Sequence, residues 1–167
     1  MPEFTTLGQS LPRVDALQKV TGKAIYAADV YLPGMLMCKL LTSTVGHARI
    51  VKLDTTKARA LPGVRAVITG RDFPDVMFGS GPLKDRRIMS RDEVHYVGDP
   101  VAAVAADDEV TAQEAVELIE AEYHALDTVV SPLDAIGEGS ATVHDDLASF
   151  EGYGFSMGGN NCTLLDA

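Results

Sequence analysis

The thirty residues from Val94 to Tyr123, VHYVGDPVAAVAADDEVTAQEAVELIEAEY, restrict the fold of this chain more than any other stretch. They read as strand, turn, strand and helix. Gly98-Asp99-Pro100 turns the chain, and Val101 to Ala106, all Val and Ala, reads as a short buried strand. Thr111 and Glu114 have the spacing of a capping box, so a helix is predicted to start there. Ala112, Ala115, Val116 and Ile119 fall at i, i+3, i+4 and i+7 and define its buried face, leaving Glu114, Glu117 and Glu120 to solvent or a partner. The alanines on that face imply close packing of helix on sheet. Glu122 to Val130 reads as the return strand.

A second strand, helix, strand unit precedes it, with ARIVKL from Ala48, DTTKARAL from Asp54 and VRAVIT from Val64 to Thr69. Asp54 or Thr55 can cap the short helix, and Pro62-Gly63 ends it because Pro removes a donor and Gly permits a left-handed exit. Two such units around one mixed sheet predict an α+β domain, or a split βαβ variant of it. Pro33-Gly34 suits the centre of a type II turn, after which Met35 to Thr44 is apolar enough for a strand buried on both faces, with a helix as the alternative its length allows. Arg71 to Arg91, broken by Pro74, Gly79, Gly81 and Pro82, reads as a long loop. The expected organisation is an extended arm over 1–34, a domain over 35–135 and a Gly-rich acidic tail over 136–167. The tail is expected to start with a helical turn at Asp134 to Ile136, run outward from the domain, and be mobile beyond about residue 147.

Charge is divided along the chain. Residues 1 to 91 hold all fourteen Lys and Arg against seven acids, giving +7, whereas residues 92 to 167 hold seventeen acids and no Lys or Arg, giving −17. Either two faces of one domain partly neutralise each other, or the acidic half meets a basic partner. Nucleic acid is a poor partner for that half, since phosphate needs the opposite sign. No run approaches the roughly 20 apolar residues of a membrane span, and the start MPEFTTLGQSLPRVD resembles no signal peptide, so the cytoplasm is the default location. Cys38 and Cys162 stand far apart in unlike contexts and read as reduced thiols.

Chemistry-bearing patterns are sparse. His47, His95, His124 and His144 lie 20 or more positions apart, so no two share a helix face, and a metal site would have to be assembled from distant positions. Gly22-Lys23 lacks the upstream glycine of a phosphate loop. Phe78 to Pro82 reads as a flexible turn, with an anion cradle as the alternative. Ser43, Ser80, Ser90 and Ser156 lie in no Gly-x-Ser-x-Gly elbow. Lys84, Arg86, Arg87 and Arg91 read as a solvated loop, with docking to an acidic surface or anionic ligand as the alternative. Met35, Met37, Met77 and Met89 read as core or gap-filling residues. No catalytic, cofactor-binding or metal-binding residue is assigned.

Five motifs in order, VTGKAIY (20–26), LPGML (32–36), GHARI (46–50), LPGV (61–64) and YVGDPVAAVAA (96–106), resemble the start of the molybdenum-binding large subunit of the xanthine dehydrogenase and aldehyde oxidase family. Phe78 to Pro82 followed by YVGDPVAAVA looks closest to the 4-hydroxybenzoyl-CoA reductase branch. The resemblance covers about residues 10 to 147 and implies the amino-terminal α/β hammerhead domain. It further implies a parent enzyme that oxidises or hydroxylates aromatic heterocycles, aldehydes or acyl-CoA substrates. Such an enzyme carries molybdopterin, as the cytosine dinucleotide in bacterial members, with [2Fe-2S] clusters and FAD on companion subunits. The family's catalytic Glu lies further downstream, so no glutamate here takes that role. The implied partners are the remainder of the large subunit and the iron-sulfur and FAD subunits, in an oligomeric parent. Alone, this chain is expected to be inactive. The alternative is a free-standing interaction or small-ligand module of the same fold.

Overall fold

The computed structural model describes residues 6–79, 84–144, 149–152, 155–158 and 161–164, the last three segments as backbone. The chain divides into two compact units, Met1–Met35 and Leu36–Ala167. The first holds a short helix α1 (Ala16–Val20) and a 3-10 turn at Ala27–Asp29. Gly34 has φ +77°, the left-handed value that a Pro-Gly turn requires of its second residue.

The second unit carries β1 (Met37–Thr42), β2 (Ala48–Asp54), α2 (Thr56–Ala60), β3 (Val64–Thr69), β4 (Glu93–Val94), β5 (Pro100–Ala106), α3 (Glu109–Glu117), β6 (Glu120–Ala125) and α4 (Pro132–Ala135). These strands form two three-stranded sheets, ordered β1-β5-β3 and β4-β2-β6, and every pair within them is antiparallel. The α+β hammerhead is therefore present, but the single mixed sheet expected from the sequence is not. Each strand, helix, strand unit starts in one sheet and ends in the other. The link from Asp54 to Val64 is shorter than the dozen or so residues a parallel return in the same sheet requires.

Strand β5 runs between β1 and β3 and faces two clusters of buried side chains. Ala102 and Val104 join Ala58 of α2, Val67 of β3 and Ala115 and Val116 of α3, with Ile119 just beyond that helix. Val101, pointing the other way, joins Ala48 and Val94 of the second sheet. Alternation along one strand thus welds the two sheets. Ala112 and Ala115 of α3 are fully buried, as their spacing predicts, and their small size brings the helix close to the sheet. By contrast β1 alternates half-buried and exposed residues, because α3 packs against one of its faces and the other stays open. The expectation of a strand buried on both faces is corrected.

The start of α3 also differs from the capping box expected at Thr111. The N-cap is Asp108, whose carboxylate accepts from the Thr111 N–H at 2.8 Å and from the Thr111 hydroxyl at 2.8 Å. The Thr111 hydroxyl is a donor here, so the helix starts three residues earlier. Between β3 and β4 the chain is partly organised, with a 3-10 turn at Gly70–Asp72 and a bridge from Phe78 to Arg86. Asp72 caps that turn, accepting from the Thr69 N–H at 2.7 Å and the Thr69 hydroxyl at 2.9 Å. Those bonds hold the Asp72 carboxyl below its ordinary value of 3.8. A depressed folded-state value stabilises the fold above the unfolded-state pKa, and that contribution is lost as pH falls through the folded-state value. Asp72→Asn is expected to remove this part of the acid sensitivity below about pH 4, as read from urea midpoints against pH.

In the tail, β7 (Ser149–Gly152), β8 (Phe155–Gly158) and β9 (Asn161–Leu164) pair as a third antiparallel sheet. The sequence reading places no strand in this stretch, and that is corrected. Ser80, the side chains of Ser156 and Cys162, and the centre of the Phe78 to Pro82 turn lie outside the described residues.

Ion pairs bridge the division of charge. Lys39 meets Glu109 at 2.7 Å, Arg65 meets Asp107 at 2.7 Å and Arg71 meets Asp92 at 2.8 Å, while Lys52 and Lys57 share Glu120. The basic first half and acidic second half partly neutralise each other within one unit, largely through exposed pairs of small individual worth, and a net charge of −10 remains. Nor is the basic group of the loop a free cationic patch. Arg86, Arg87 and Arg91 face Asp85, Asp75 and Asp92 respectively.

Candidate functional site

Antiparallel register brings together three residues that the sequence keeps far apart. Ala48 of β2 pairs with Val94 of β4, so His47, one position before Ala48, lies opposite His95, one position after Val94. Glu93 of β4 and His95 just after it are two apart along extended chain, the spacing that puts side chains on one face. The His47 and His95 rings stack at 5.8 Å between centroids and 25° between planes, and His144 also stacks with His95, at 4.5 Å. His124 sits on β6 opposite Arg49. Nothing in the local sequence signals this grouping, because the register that creates it joins strands some 45 positions apart.

Hydrogen bonds orient the His47 ring, and carboxylates flank the ring of His95. His47 is nearly buried, with Nδ1 2.8 Å from the Asp127 carbonyl oxygen and Nε2 2.8 Å from Glu93 Oε1. A carbonyl only accepts, so Nδ1 carries a proton and donates it. The His95 Nε2 lies 3.9 Å from the same Glu93 oxygen, and its Nδ1 lies 3.8 Å from Asp99 Oδ2.

The turn that precedes β5 sets the position of Asp99. Gly98, at φ +99°, donates its N–H to Ser43 O at 2.8 Å, and Ser43 donates its N–H to Asp99 O at 2.8 Å. The Asp99 carboxylate then accepts from the His95 N–H at 3.0 Å. Burial pushes the Asp99 carboxyl up, but the His95 side chain and N–H and the Ser90 hydroxyl outweigh it and hold it below 3.8. Tyr96 and Tyr123 are pushed up by burial and then by the Asp99 charge.

Beside these groups lies a cavity of about 320 Å³ lined by Arg86, Ser90, Glu93, His95, Asp99 and His144 among others. The remaining sequence candidates do not add to it. The Ser43 hydroxyl is engaged locally, donating to Val45 O and accepting from Val45 N–H. Ser90 lies beside Asp99, whose carboxyl is held below its ordinary value by its donors and is therefore a weak base toward a hydroxyl. Met89 is buried, whereas Met35 is exposed. Cys38 is a free, exposed thiol.

Two small antiparallel sheets joined through one buried strand, with short crossing helices, define a hammerhead-type α+β domain. The model of the aldehyde oxidase and xanthine dehydrogenase a/b hammerhead domain matches residues 21–127, more than half of the chain, and the chain belongs to that family. It is 41% identical over 134 residues to a probable xanthine dehydrogenase subunit of Bacillus subtilis, covering 80% of this chain and 18% of that one. It is 39% identical over 144 residues to the nicotinate dehydrogenase large molybdopterin subunit of Eubacterium barkeri, covering 86% and 34%. Among solved structures it resembles quinoline 2-oxidoreductase from Pseudomonas putida 86, with a TM-score of 0.75, 35% identity, and coverage of 84% and 19%. The chain thus spans between about a sixth and a third of the length of these relatives.

Molybdopterin does not fit the cleft that the described residues form. Its volume of about 320 Å³ is at the low end for a drug-sized ligand, and a pterin dinucleotide is larger. Glu93 and Asp99 would moreover face the phosphates of that cofactor, while Arg86 and Arg87 are already paired to carboxylates. No step of molybdenum chemistry is derived from these residues. Among the described residues, no helix is long and apolar enough to cross a membrane.

Proposed function

We propose that this chain is the scaffold and docking domain of a molybdenum hydroxylase large subunit, catalytically silent by itself. In this reading the arm over 1–34 and the tail over 136–167 flank a hammerhead over 35–135, and the tail leads toward the molybdopterin-binding part. The parent is a cytoplasmic oligomer that oxidises or hydroxylates aromatic heterocycles, aldehydes or acyl-CoA substrates. It carries molybdopterin cytosine dinucleotide, with [2Fe-2S] and FAD on companion subunits.

The observation that carries this reading is the family match over residues 21–127, joined to coverage of 80% of this chain but 18% of its Bacillus relative. Physical size supports it, since a buried multi-part cofactor needs walls from many more elements than two three-stranded sheets provide. Elemental analysis of the purified chain tests it, with molybdenum expected well below one atom per chain. Stoichiometric molybdenum together with substrate-dependent dye reduction would show that the chain is itself an enzyme.

A further inference from the structure

We propose that His47, Glu93 and His95 form a binding site for a divalent transition metal ion, of which Zn²⁺ is the best chemical match, independent of any molybdenum cofactor. The inference rests on how the rings are held. His47 donates Nδ1–H to the Asp127 carbonyl, so its lone pair is on Nε2, or Nε2 carries a second proton, and Nε2 points at Glu93. His95 has its Nδ1 toward the Asp99 carboxylate and its Nε2 toward the same Glu93 oxygen. Metal-binding histidines show this arrangement, in which the outer nitrogen faces a carbonyl or carboxylate that fixes the tautomer while the inner nitrogen faces the ion.

The donor atoms also have the right spread. All three lie within 4.8 Å of one another. Tetrahedral Zn bonds of about 2.0–2.1 Å place neighbouring ligand atoms about 3.3 Å apart. The present separations, 2.8 Å from His47 Nε2 to Glu93 Oε1 and 3.9 Å from His95 Nε2 to the same atom, bracket that value. Small side-chain rotations would equalise them. Two imidazoles and one carboxylate are a donor set that suits Zn²⁺ and leaves one coordination position open. Glu93 and His95 also line the neighbouring cavity, together with His144. The bland alternative is an ion pair between protonated His47 and Glu93, which needs no metal and predicts none.

Titration of the purified, chelator-treated 167-residue chain with Zn²⁺ alone, followed by calorimetry, distinguishes the two. Saturable one-to-one binding is expected. Glu93→Gln and His95→Gln are expected to weaken it at least tenfold, and Asp99→Asn about tenfold through loss of the outer carboxylate, while His124→Gln leaves it unchanged. In the unmodified chain, Zn²⁺ is expected to shift the Nε2 ¹⁵N resonances of His47 and His95 with the His47 Nδ1 still protonated, a reading that needs no variant to fold. Absence of saturable binding, a loss below tenfold in either ligand variant that remains folded by circular dichroism, or unmoved Nε2 resonances overturns the proposal. Molybdenum content plays no part in this readout, so the outcome is separable from the scaffold reading.

Discussion

Gly70→Ala is expected to destabilise the fold by about 3 kcal/mol, at the upper end of ordinary overpacking, and to lower the melting temperature by roughly 10 °C. Gly70 is buried where β3 gives way to the 3-10 turn. A Cβ there would stand 2.4 Å from the Ser90 carbonyl oxygen, 2.8 Å from its carbon and 2.9 Å from Arg91 Cα. These are backbone atoms, so no side-chain rotation relieves the clash. Ser90 is moreover tied to β5 by its N–H to Pro100 O at 2.7 Å, and any retreat of that segment disturbs the start of the central strand. Gly98→Ala makes an instructive comparison. Gly98 has φ +99° but nothing within 4 Å of an added Cβ, so its cost is conformational alone, about 1–2 kcal/mol. Thermal melts by circular dichroism that rank Gly98→Ala as the more damaging of the two would contradict this account of the contact.

The second large effect is expected at Val104, which is fully buried on the central strand β5, paired with Lys39 of β1 on one side and Val67 of β3 on the other. Val104→Asp places a carboxyl among Ala58, Val67, Ala115, Val116 and Ile119, none of which offers a side-chain donor. The loss is expected to be on the order of 4 kcal/mol at neutral pH, a large share of a typical total of about 5–15 kcal/mol. Such a carboxyl has a raised folded-state pKa, because burial disfavours its charged form. The sign of the pH effect follows. A raised value favours the folded state below the unfolded-state pKa of about 3.9 and costs stability as pH rises, so the variant is expected to suffer least near pH 4. Val104→Ala, which only leaves a cavity, is expected to lose about 2 kcal/mol without that pH dependence. Urea midpoints for both variants at pH 4 and pH 7 decide the point, and a pH-independent loss in Val104→Asp would mean that the carboxyl reaches solvent.

Local elements were largely legible. Ala48, Asp54, Val64 and Thr69 bound strands and a helix close to where period and turn residues place them. The buried face of α3 follows from spacing alone. The helix start was missed by three residues because Asp108 and Thr111 are both good caps, and which one accepts depends on where the Thr111 hydroxyl proton goes. The strands of the tail were missed because Ser149 to Leu164 is rich in glycine and polar residues, which carry little strand preference.

The His47, Glu93 and His95 cluster was not legible at all. Its members are ordinary in their local settings, and only the pairing of Ala48 with Val94 makes them neighbours. The same holds for the charge division, across which pairs such as Arg65 with Asp107 and Lys57 with Glu120 form only in the folded unit.

By itself, then, the sequence determined where β2, α2, β3, β5 and α3 form, which face of α3 is buried, and, through five ordered motifs, the family. Those properties depend on period and turn chemistry over a few residues, which a linear string carries. The tertiary structure alone decided that each strand, helix, strand unit crosses between two antiparallel sheets, that acids and bases meet within one unit, and that two distant histidines converge on one glutamate. Each of these depends on register between strands tens of residues apart, where packing of the two clusters around β5 selects the partner.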